Sequence, residues 1–187
     1  KAKRELLMSL SMDAELKKHL ENKSNWVRRT VLDMAVKAHS GHVSTAFSQA
    51  EMLVALYHGK ILNVDPANPK WDGRDRFILS KGQAGLGLYP ILSDLGFFPS
   101  EELEKFCQPG GILGVHCEHN IPGIEVLTGS LGHGLPMATG MAHAARLDGK
   151  DHLIIVMLGD GELYEGSNWE AMFTASHQEY GCLIVIV

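Results

Sequence analysis

The chain has 187 residues and a mass of 20.5 kDa, with 45% hydrophobic and 21% charged residues. Lys and Arg total 17 against 22 Asp and Glu, a formal charge of −5, which argues against a general binder of nucleic acid or anionic membrane. The longest apolar runs, Leu153–Leu158 and Leu183–Val187, fall well short of the roughly 20 residues that span a bilayer. Lys1–Met12 is charged without a sustained apolar core, so no secretory signal is expected. Cys107, Cys117 and Cys182, an odd number with no C-x-x-C pair, fit reduced thiols in the cytoplasm.

The first periodic segment predicts a helix over Asp13–Ala38, with Val27, Val31, Met34, Ala35 and Ala38 on one face. It should stop at Ser40-Gly41, because glycine commonly follows a helix end. A second helix is predicted over Gln49–His58, then a loop over Asn63–Arg74 and a short buried strand over Arg76–Ser80. A helix near Leu88–Leu95 comes next. Cys107–Gly132, broken by Gly110, Gly111, Gly114, Pro122, Gly123 and Gly129, reads as a long surface excursion. A helix over Leu135–Leu147 follows, whose Ala138, Gly140, Ala142, Ala144 and Ala145 suggest close approach to neighbouring backbone.

His152–Leu158 is an apolar, β-branched strand of the kind found inside parallel sheets. The helix predicted over Glu165–His177 should bury Trp169, Met172, Phe173 and Ser176, and Leu183–Val187 should be a second buried strand. Strand–helix–strand alternation makes the fold class α/β, a parallel sheet with helices on both faces. Residues 1–187 read as one domain. An apolar strand reaching Val187 suggests a domain incomplete at its C-terminal end.

The sharpest chemical signal is Gly159-Asp160-Gly161 between that first strand and the next helix. Open α/β sheets bind ligands at the carboxyl ends of their strands. One carboxylate there can hold a Mg²⁺ that keeps other positions for phosphate oxygens. The competing reading is a tight turn with Asp160 as helix N-cap. Gly82–Gly87 and Gly129–Gly134 share the spacing G-x-x-G-x-G, each opening a helix. Free N–H groups at such starts attract anions, although the same glycines serve equally to turn the chain. His116-Cys117-Glu118-His119 is too crowded for an ordinary zinc site.

Ser40-Gly41-His42, Arg74–Ser80, Thr128–Gly132 and Gly159–Glu162 through Glu165-Gly166 and Trp169–Ala171 together resemble the N-terminal domain of transketolase, in order and spacing from about Asn25 to Val187. The resemblance implies a thiamine-diphosphate-binding fold, with thiamine diphosphate and Mg²⁺ (or Ca²⁺ or Mn²⁺) as cofactors. It also implies transfer of a two-carbon ketol unit between sugar phosphates. By the same resemblance Asp160 would ligate the metal and Gly161 would lie against the diphosphate, while Gly129, Ser130 and Leu131 would line the cofactor. His42 and His116 would face the substrate, and Glu165 would link two cofactor sites across a dimer interface. Gln83 stands where the family usually has His, and Gln donates a hydrogen bond but carries no proton at neutral pH.

In the family the Glu that activates the cofactor belongs to a following pyrimidine-binding domain, so a C-terminal subunit or domain carrying it is the expected partner. The assembly would be a homodimer or a heterotetramer, preferably a split enzyme. Two other readings stay open: a 1-deoxyxylulose-phosphate synthase or 2-oxoacid dehydrogenase component, and a non-catalytic cofactor-binding subunit.

Overall fold

Helix α1 (Ala14–Ala38) begins where the Asp13 carboxylate accepts the Leu16 N–H at 2.6 Å, an N-cap that satisfies one of the free amides of the first turn. The structure, a computed structural model, describes residues 13–187; Lys1–Met12, the segment considered for a signal, lies outside the described residues. The helix ends on His39 in the left-handed region (φ 49°), not on a glycine as the sequence suggested. Gly41 is needed two residues later, at φ +113°, where a Cβ would sit 2.8 Å from Leu86 Cδ2.

A short helix, α2 (Val43–Ser48), lies where none was expected, and α3 (Ala50–Tyr57) is correspondingly shorter than predicted. Strand β1 (Arg76–Leu79) leads through a 3₁₀ turn (Gly82–Ala84) into α4 (Gly85–Asp94), buried from Gly85 to Ser93. The helix starts three residues before Leu88 because Gly87 belongs to it: a Cβ there would meet Gln49 Nε2 at 2.8 Å and Ala46 O at 3.1 Å. Gly87 thus lets α2 and α4 touch.

Between the 3₁₀ turn Ser100–Lys105 and α5 (Gly134–Leu147) there is no helix or strand. The segment Cys107–Gly132 runs largely over the surface, as expected, but is anchored inward: Phe106 just before it and Leu113, Cys117 and Ile121 within it are each 2% exposed or less and join the main core. Part-buried polar ties hold it as well. The buried Tyr89 hydroxyl reaches the carbonyls of Gly114 (2.9 Å) and His116 (2.8 Å). Arg74 donates twice to Glu125, at 2.9 and 2.6 Å, the planar fork geometry that suits guanidinium to carboxylate.

Strand β2 (Ile154–Met157), α6 (Gly166–His177) and β3 (Leu183–Ile186) complete the order, and the sheet is parallel, β1-β2-β3. Its register pairs Arg76 with Ile154 and Ile154 with Leu183. Alternation along the strands separates two cores. Phe77, Leu79, Ile155 and Met157 pack with α1, α3 and α4, while Ile78, Ile154, Val156 and Leu158 pack with Leu135, Ala138 and Ala142 of α5 and Ala171 of α6. Helices therefore cover both faces, as expected.

Several expectations about burial fail. In α6 the buried residues are Asn168 and Ala171, whereas Ser176 is exposed, Met172 is half-buried, and Trp169 and Phe173 are 50% and 74% exposed. Small side chains seat this helix on its neighbours, and the bulky ones point outward. In α5, Gly140 and Ala144 are likewise exposed, leaving Ala138, Ala142 and Ala145 to make the close approach. Strand β3 is only half-buried rather than central. No helix among the described residues is long and apolar enough to cross a membrane.

Candidate functional site

Parallel strands deliver their carboxyl ends to one edge of the sheet, and there the chain passes from β1 into Ser80-Lys81 and from β2 into Gly159-Asp160-Gly161. A cleft of about 340 Å³ opens between these ends, lined by Ser44, Thr45, Lys81, Gln83 and Leu131 and by the run Gly159-Asp160-Gly161-Glu162. The loop that contributes Leu131 also contributes Gly129 and Ser130 to a second cleft of about 460 Å³, shared with His116, Glu118 and His133.

Asp160 is exposed and precedes the 3₁₀ turn Gly161–Tyr164, but its side chain makes no cap bond to that turn. The helix-cap reading therefore gives way to a carboxylate open to the cleft. Facing it is Lys81, a residue absent from the sequence expectations, only 8% exposed. Its stem lies over Gly159, where a Cβ would be 3.5 Å from Lys81 Cδ. Burial pushes the ammonium below the ordinary lysine value, opposed by the charges of Asp160 and Glu162. No hydrogen bond or ion pair among the described residues reaches this ammonium.

Glu162 belongs to the motif Gly159–Glu162, but the sequence assigns it no role. It is 2% exposed. Ser80 Oγ donates to its Oε1 at 2.5 Å, the Gly132 N–H to the same oxygen at 2.9 Å, and the Gly159 N–H to Oε2 at 3.1 Å. Two of its three donors, Ser80 and Gly132, lie far away along the chain, so no local pattern reveals what it holds.

The structure thus brings Gln83, Leu131, Asp160 and Gly161 into one cleft and His116, Gly129 and Ser130 into the other. The His116 ring covers Gly129, its Cδ2 2.7 Å from where a Cβ would stand. His42 and Glu165 line neither cleft. His42 is exposed at the start of α2, and Glu165 is exposed at the start of α6 with its stem against Gly132. The zinc reading of His116–His119 stays rejected: Cys117 is buried, its thiol pushed up to about 12 by burial. Among the described residues no three His, Cys, Asp or Glu side chains gather around one point.

One open carboxylate, a poorly solvated ammonium, a side-chain amide and glycine backbone fit an anion that brings its own metal. Magnesium takes one or two protein carboxylates and completes its shell with other oxygens, of phosphate and water among them, and Asp160 offers one such carboxylate to the cleft.

Residues 20–187 match the family described as transketolase, thiamine diphosphate binding domain. The chain is 40% identical over 166 residues to a 6-deoxy-6-sulfo-D-fructose transketolase subunit of Clostridium sp. (strain MSTE9), covering 88% of this chain and 60% of the relative. It is 40% identical over 169 residues to one subunit of the apulose-4-phosphate transketolase of Actinobacillus succinogenes, covering 89% and 61%. The transketolase of Campylobacter jejuni superimposes with a TM-score of 0.85 at 34% identity, over 93% of this chain and 28% of that one. The chain thus spans about 60% of the subunit relatives and little more than a quarter of the long transketolase.

Proposed function

The chain belongs to the transketolase thiamine-diphosphate-binding family, and from that premise we propose that it forms the diphosphate-binding part of an enzyme transferring a two-carbon ketol unit between sugar substrates. The observation that carries this reading is the cleft at the strand ends, where Asp160, Gly161, Gln83, Leu131 and Lys81 converge. Asp160 holds Mg²⁺, Gly161 lies against the diphosphate, and the loop Gly129–Leu131 lines the cofactor through its backbone. Bound thiamine diphosphate supplies the nucleophilic carbon and the electron sink that ketol transfer needs. The protein's own task is to orient that group and to move protons.

His116, exposed in the cleft beside Gly129, and His42, exposed at the start of α2, are the groups assigned to the substrate hydroxyls. An imidazole gives or takes a proton near neutral pH, which a hydroxyl-bearing substrate requires. Gln83 serves as a hydrogen-bond donor only. The relatives' names specify a sulfonated and a phosphorylated sugar, so the substrate class assigned here is an anionic ketose.

A partner subunit or domain with the activating Glu completes the site. Tyr164, Trp169 and Phe173, 94%, 50% and 74% exposed around the start of α6 beside Glu165, supply an apolar surface for that contact. The test is calorimetric titration of the full-length protein, with its partner, by thiamine diphosphate with and without Mg²⁺. Asp160→Asn is expected to abolish the Mg²⁺-dependent part of binding while the fold persists; unchanged affinity removes the metal assignment.

A further inference from the structure

Glu162 lines the cleft together with Asp160 and Gly161, yet it is only 2% exposed. Burying a carboxylate costs several kcal/mol unless hydrogen bonds replace the lost water. Here three donors do so, and each comes from a different segment bordering the cleft. Ser80 follows β1, Gly159 follows β2, and Gly132 closes the glycine loop before α5. The clamp is braced from behind. Asn168, fully buried, donates Nδ2 to the Glu162 carbonyl at 2.7 Å, and Ser167 Oγ donates to the Gly132 carbonyl at 2.6 Å. Gly132 is therefore held at both its N–H and its C=O, on the two peptides that flank its Cα, with φ at +84°.

An apolar residue of similar volume would leave these three donors without an acceptor, which is strongly destabilising. What a carboxylate does that an apolar side chain cannot is fix two backbone N–H groups and one hydroxyl at defined directions. We propose that Glu162 is a positioning residue: it sets the loops 129–132 and 159–161 against the end of β1 in the geometry that receives the metal-bound diphosphate. This rests on the reading that the cleft is the thiamine-diphosphate site. In this role Glu162 acts through Gly132, Gly159 and Ser80.

The experiment compares the full-length protein, with its partner, to its Glu162→Gln and Ser80→Ala variants in two measurements. The first is calorimetric affinity for inorganic pyrophosphate in the presence of Mg²⁺. The second is amide hydrogen exchange at Gly132 and Gly159 against the strand Ile154–Met157. Glu162→Gln, which keeps the size and loses acceptor capacity, is expected to weaken pyrophosphate about 10- to 100-fold, the usual effect of removing a group that orients a metal-site ligand. Exchange should quicken at Gly132 and Gly159 and stay slow across the strand. Ser80→Ala, which removes one donor of three, should give a smaller loss in the same direction and keeps the test decisive if Glu162→Gln fails to fold. Wild-type affinity in both variants overturns the proposal. So does an affinity loss accompanied by faster exchange throughout the sheet, which would make Glu162 merely structural. A wild-type protein that takes up no pyrophosphate removes the cofactor-site reading itself, an outcome distinct from wild-type uptake with unaffected variants.

Discussion

Replacing Tyr89 by Phe removes one oxygen from the interior and frees the segment that carries His116. Tyr89 is fully buried, packed at a ring separation of 6.2 Å from Phe106. Burial holds its phenol well above the ordinary tyrosine value, so it stays a donor at every working pH. Its single proton is shared by the carbonyls of Gly114 and His116 at 2.9 and 2.8 Å. A buried carbonyl left without a donor costs about 1–3 kcal/mol. Because this one lies in a partly buried stretch that water reaches, the lower half applies, about 1–2 kcal/mol. For a domain of this size that lowers the melting temperature by about 2–8 °C. Differential scanning fluorimetry reads the shift, and hydrogen exchange should accelerate over residues 114–118 while α4 stays protected. An unchanged melting temperature, or a loosening that spreads evenly over α4 and the sheet, refutes the account of Tyr89 as the tie between helix and loop.

His58 and His152 are both held below the ordinary value of 6.5, burial being the larger cause in each, with Asp94 opposing it at His58 and Arg76 adding to it at His152. The unfolded chain therefore takes up these protons first, and stability is full above about pH 6.5 and declines as pH falls below it; His152→Gln should flatten that decline in melting temperature against pH, and an unaltered slope would exclude His152 as a source. Phe173→Asp should weaken association with the partner in sedimentation velocity, since it places a charge on an exposed apolar face, while melting of the separated chain changes little; association equal to wild type would clear this face of the role given to it.

Much of the fold was legible because its signals are local. Helix α1 declared itself through Asp13, Val27, Val31 and Met34, and β1 and β2 through short runs of apolar residues bounded by breakers. Helix α2 was hidden because Val43–Ser48 is one polar-rich turn and a half, too short to show a period. The orientation of α6 misled for a different reason. Hydrophobicity alone assigns Trp169 and Phe173 to the core, but it is Ala171 that packs in the cluster with α5, and Asn168 that turns inward to the Glu162 carbonyl. At the site, Asp160 and its glycines were visible as a motif. Lys81 was not, and Glu162 was visible only as a letter of that motif, because their roles come from partners brought alongside by strand pairing.

Ser80 and Glu162 stand 82 residues apart in sequence, and the bond between them exists only once β2 lies beside β1. The cleft is accordingly a property of the assembled sheet, with no counterpart in the unfolded chain or in a detached loop. A ligand that occupies it binds the native state alone. At a hundred times its dissociation constant it would add about 2.7 kcal/mol to the folding equilibrium, so uptake of ligand and resistance to denaturation of the whole chain should rise and fall together.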